Sequence, residues 1–80
     1  DDVQQFDFEL YPNPASDFIK VSAVENFDKV EIYNLLGKLI YEETVSNNTK
    51  EINVSNLSDG IYFIKASKGK LVGTYKFIKQ

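Results

Sequence analysis

Histidine, cysteine, arginine, methionine and tryptophan are all absent from this chain of 80 residues, and proline occurs only at positions 12 and 14. Without histidine or cysteine there is no imidazole base, no thiolate nucleophile and neither of the commonest ligands of zinc. A catalyst would have to be assembled from carboxylates, lysine, tyrosine or serine, in a chain too short for a second independent core. The missing cysteines also exclude disulfides, so packing alone must hold the fold. That absence identifies no compartment. The missing arginines remove bidentate phosphate contacts, and no apolar run approaches the length a membrane-spanning helix needs.

What is present has globular composition: 42% of the residues are hydrophobic and 26% charged. The net charge of −3 is unevenly spread. From Gly60 to Gln80 there are five lysines (Lys65, Lys68, Lys70, Lys76 and Lys79) and no acid. A basic stretch of this kind can face nucleic acid or anionic lipid. Lysines guarding an exposed edge strand against unwanted pairing account for it better, and neither nucleic acid nor membrane insertion is expected. The opening DDVQQ, polar and acidic, reads as the end of a linker. Residues 1–5 are therefore assigned to a linker and residues 6–80 to one domain, in a piece cut from a longer protein whose own N-terminus carries any export signal.

The remainder alternates short β runs with turn signals, and no helical period is long enough to compete. Seven runs emerge: 6–11, 17–23, 28–34, 38–45, 49–54, 60–67 and 70–79. In the second, Ile19, Val21 and Ala23 alternate with Phe18, Lys20 and Ser22, which buries one face and wets the other. Val30 and Ile32 repeat the pattern around Glu31, and Ile52 and Val54 do so again. Gly37 in NLLGK can take positive φ and close a tight hairpin with a bulge; SNN (46–48) and SKGK (67–70) read as polar loops. With no room for crossover helices, the fold expected is all-β, an Ig-like antiparallel β-sandwich of about seven strands. Leu57-x-x-Gly60-x-Tyr62 has the spacing of a tyrosine corner, in which the hydroxyl bonds back to nearby backbone. With Tyr62 inward, Ile64 and Ala66 share its face, and Ile61, Phe63 and Lys65 form a second face apolar enough to need a cover or a partner.

The search for chemistry finds no site. Lys68-Gly69-Lys70 lacks the spacing and the hydroxyl of a phosphate loop. Asp7 and Glu9 share a strand face without the loop of oxygen ligands that calcium takes. No pair of acids is singled out for glycoside hydrolysis. In the last run Tyr75 and Phe77 alternate with Lys76 and Ile78, so both faces carry apolar groups. Such a strand can complete the sandwich, or pair with another chain by strand addition, including a second copy of this one.

Several motifs nevertheless occur in one order: YPNPASD, the alternating FIKVSA, VEIYNLLGKLIYEE, INVSNLSDGIYFIKA and a closing KFIKQ. The set resembles the C-terminal sorting domain of the type IX (Por) secretion system in its type A form, from about Leu10 to Gln80. Carried over by position, the family's proline motif falls on Pro12, Asn13 and Pro14, and its hairpin glycine and basic residue on Gly37 and Lys38. Its Leu-x-x-Gly-x-Tyr motif falls on Leu57, Gly60 and Tyr62. Its hydrophobic-basic terminus, read as the element that the translocon recognises, falls on Lys76, Phe77, Ile78, Lys79 and Gln80.

The resemblance implies a non-catalytic secretion signal that needs no cofactor. Its cargo crosses the periplasm, is recognised by an outer-membrane shuttle protein and passes the type IX translocon. A sortase-like cysteine protease then usually removes the domain, upstream of Leu10, before the cargo is secreted or anchored at the cell surface. The alternative left open is an Ig-like accessory module that binds carbohydrate or a surface partner and is retained on the mature protein.

Overall fold

A computed structural model describes residues 6–80; the segment expected to end a linker, residues 1–5, lies outside the described residues. The chain is all-β and antiparallel. Its strands are β1 (Glu9–Tyr11), β2 (Phe18–Asn34), β3 (Leu39–Asn53), β4 (Gly60–Lys68) and β5 (Leu71–Lys79). The seven runs expected are therefore five strands among the described residues. The second and third runs fuse into β2, and the fourth and fifth into β3.

The physical reason is that neither junction holds a glycine or proline to reverse the chain, so the extra residues are absorbed as irregularities of an unbroken ladder. From Ser22 to Phe27, β2 advances five residues while its partner moves only from Thr49 to Asn47. SNN, expected as a loop, lies inside β3. These shifts bend both strands. The first part of β2 lies between β1 and the end of β3, whereas its second part lies between the start of β3 and β4, with β5 beyond. The result is a sandwich made by one bent sheet.

The expected inward faces are the buried ones, except that Ala23 is only half-buried against the core. Ile19, Val21, Val30, Ile32, Ile52, Val54, Ile64 and Ala66 are each at most 2% exposed and belong to one core. Removing a side chain of this size from water is worth roughly 1.5–3 kcal/mol. Phe27, set in the irregular stretch of β2, is fully buried and packs 5.9 Å from the Phe6 ring. Gly73 has a steric role: a Cβ there would collide with the Phe6 carbonyl and come within 3.2 Å of the Phe8 ring. Residues 6–8 can lie against β5 only because that side chain is missing.

Candidate functional site: a clamped strand end beside an apolar hairpin tip

The C-terminal strand β5 pairs along its length with β4, from Lys68 opposite Leu71 to Gly60 opposite Lys79. Its other edge, expected to be open, is covered in part. Phe6 N donates to Val72 O at 3.2 Å. The Asn13 side chain then acts as a short substitute strand: its Nδ2 donates to Lys76 O at 3.2 Å, and Ile78 N donates to its Oδ1 at 3.0 Å. Ala15 continues the ladder as a parallel bridge to Lys79. Its N donates to Ile78 O at 2.7 Å and its O accepts from Gln80 N at 2.8 Å. The proline motif and the basic terminus are thus one structural unit. Around Pro12 and Pro14 the backbone runs through bends that present Asn13 to the strand edge, and both X–Pro bonds are cis.

The terminal residues divide by parity. Phe77 is fully buried, with its ring 5.5 Å from that of Tyr62 and nearly parallel to it. Lys79, on the same side, is 7% exposed, so it is a buried side chain rather than the exposed cation expected. Lys76 and Ile78 point outward and are exposed. Tyr62 forms the expected corner, its hydroxyl donating to Ser58 O at 2.6 Å while its ring stays buried. Gly60 enters β4 at a φ of +153°, which side chains rarely adopt, and Leu57 packs on the core.

The β2–β3 hairpin carries Gly37 at a φ of +87°. A residue not singled out from the sequence holds this tip: Asn34 Oδ1 accepts from Leu36 N and Lys38 N, both at 3.0 Å. This is an Asx-type bond, and an Asn three residues before the turn glycine, Gly37, was the signal for it. It leaves Leu35 63% and Leu36 93% exposed. A shallow hollow is lined by Leu35 and Leu36 on one side and Asp59 to Tyr62 on the other. Since Gly60 faces Lys79, and Lys79 faces Ala15, all four motif segments converge on one end of the sandwich.

The outward face of the sheet is apolar at this end and charged further along. Ile61 and Ile78 face one another across the β4–β5 ladder, and Phe63 lies between Tyr33 and Lys76. Beyond them Glu31 takes Lys29 and Lys65, each at 3.8 Å, and Lys29 also reaches Glu42 at 3.4 Å. The Glu42 contact and the nearby Glu31 raise the pKa of Lys29. Lys38 and Lys76 have no acidic partner among the described residues. On β3, the Tyr41 hydroxyl donates to Glu43, which also pairs with Lys50 at 2.7 Å. Burial first, and then Glu43, push Tyr41 up to about 12, while Lys50 and Tyr41 lower Glu43.

These features define a small β-sandwich whose motif residues gather at a strand end and a hairpin tip. The chain belongs to the family described as the secretion system C-terminal sorting domain, whose model matches residues 9–80. It is thus a C-terminal sorting signal of type IX secretion. It is 38% identical over 61 residues to the ulvan lyase NLR42 of Nonlabens ulvanivorans, a match covering 72% of this chain and 11% of the lyase. Its fold is similar to that of PorZ, a surface component of the type IX secretion system of Porphyromonas gingivalis. The TM-score is 0.78 at 18% identity, over 91% of this chain and 11% of that one. The chain thus spans about a ninth of the length of either relative.

Proposed function

We propose that residues 6–80 act as one non-catalytic sorting unit, the address by which an attached cargo is exported from the periplasm through the outer membrane. An outer-membrane shuttle protein recognises the address, the type IX translocon passes the cargo, and a sortase-like cysteine protease removes the unit upstream of Leu10. The cargo is then released or anchored at the cell surface. The single observation that carries this reading is the convergence of the family's motif segments, Pro12–Pro14, Gly37–Lys38, Leu57–Tyr62 and Lys76–Gln80, on one end of the sandwich. Lys76 and Ile78 present the outer face of the terminal strand, while Phe77 and Lys79 anchor it.

Deleting Lys76–Gln80 from a cargo should leave it in the periplasm, read by cell fractionation. A truncated cargo that reached the surface normally would refute the address. The mass of mature cargo tests removal: loss of the unit supports the protease step, and its retention would favour an accessory module.

A further inference from the structure

The apolar end of the outer sheet face has no cover among the described residues. Leu36 is 93% exposed, Leu35 63%, Ile78 39% and Ile61 38%, and they continue into the half-buried Phe63. Isolated exposed leucines are ordinary, but a group gathered around one hollow and across one strand pair marks an interaction surface. Strand addition is not how the outer edge of β5 would be read in this state, because Asn13 and Ala15 occupy the carbonyl of Lys76 and both backbone groups of Ile78.

We propose that this face, centred on Leu35, Leu36, Ile61, Phe63 and Ile78, docks a protein surface that presents an apolar patch rimmed by carboxylates. The inference rests on the sorting reading and names the surface through which that reading operates. Charge complementarity selects the occupant. Lys38 and Lys76 stand beside the patch without acidic partners among the described residues, and no acid occurs between Gly60 and Gln80. A second copy fits poorly, because a two-fold contact sets this lysine rim against itself. An anionic lipid surface fits poorly too: the patch offers two lysines without acidic partners among the described residues, fewer than the clusters of about four to eight that read as lipid-binding.

The test uses a reporter carrying residues 1–80, in a bacterium with a type IX system, scored as surface over periplasmic amounts. Leu36 is almost entirely solvated, so Leu36→Ser removes contact area without disturbing the core. It should lower the ratio at least about tenfold, as expected for an interface anchor, with an unchanged circular dichroism melt. Lys38→Glu with Lys76→Glu should lower it further than Lys38→Gln with Lys76→Gln. Export of Leu36→Ser at the wild-type ratio, while the wild-type fusion is exported, overturns the docking face alone. Failure of the wild-type fusion to be exported overturns the sorting reading beneath it. A wild-type dimer in sedimentation that Leu36→Ser dissolves, or Leu36-dependent binding to phosphatidylglycerol vesicles, assigns the face to another occupant and overturns the proposal.

Discussion

Replacing Asn13 with alanine removes both bonds by which this side chain closes the edge of β5. Nδ2 no longer donates to Lys76 O, and Ile78 N loses Oδ1 as its acceptor. Each such bond is worth about 0.5–1.5 kcal/mol net. Both lie at the surface, where water takes over part of the role, so the sum falls near the lower end, at about 1–2 kcal/mol. Against a stability on the order of 4–12 kcal/mol for a chain of this size, the melting temperature should fall by roughly 4–16 °C. Urea unfolding should show a lower midpoint at an unchanged slope. Hydrogen exchange reports the cause directly: the Ile78 amide should lose protection while the Gln80 amide, bonded to Ala15 O at 2.8 Å, keeps most of its own. Asn13→Asp should restore protection of the Ile78 amide but not the melting temperature, because one carboxylate oxygen still accepts from Ile78 N while the other, with no hydrogen to donate, faces the Lys76 carbonyl. An unchanged midpoint with a fully protected Ile78 amide would refute the clamp.

Three further outcomes follow from the same geometry. Tyr62→Phe keeps the ring against Phe77 but loses the 2.6 Å bond to Ser58 O; it should cost about 0.5–1.5 kcal/mol in urea unfolding and spare export. Gly73→Ala drives a methyl group into the Phe6 carbonyl, so it should cost about 1–3 kcal/mol or more and release Phe6 and Phe8, read as increased binding of a hydrophobic dye. Tyr41, raised to about 12, should ionise late in an ultraviolet titration. Because its folded value lies above the unfolded one of about 10, its contribution to stability is complete below pH 10 and is lost as the pH rises towards 12. Glu43→Gln should bring the ionisation only part of the way down, since burial, the leading cause, remains.

The inner faces of the strands were legible because period-2 alternation depends on adjacent residues: Ile19 with Val21, Val30 with Ile32, and Tyr62 with Ile64 all face the core as read. The tyrosine corner and the positive φ of Gly37 were legible for the same local reason. The strand count was not, because a long irregularity between Ser22 and Phe27 looks like a loop when the partner strand is unknown. Nor was the clamp, whose bonds join Asn13 to residues 63 and 65 positions away. Gly73 was not singled out from the sequence, and its purpose emerges only when Phe6 is seen over it. Lys79 had the parity of Phe77, yet its charge argued for water; the parity prevailed and the stem is buried.

The central claim is that this chain is sufficient as an export address. Its most direct test is to fuse residues 1–80 to a reporter that normally remains in the periplasm, and to score surface exposure in a type IX-competent strain and in one lacking the translocon. Surface reporter is expected in the first strain and periplasmic reporter in the second. Reporter held in the periplasm of both strains, or displayed by both, would contradict it.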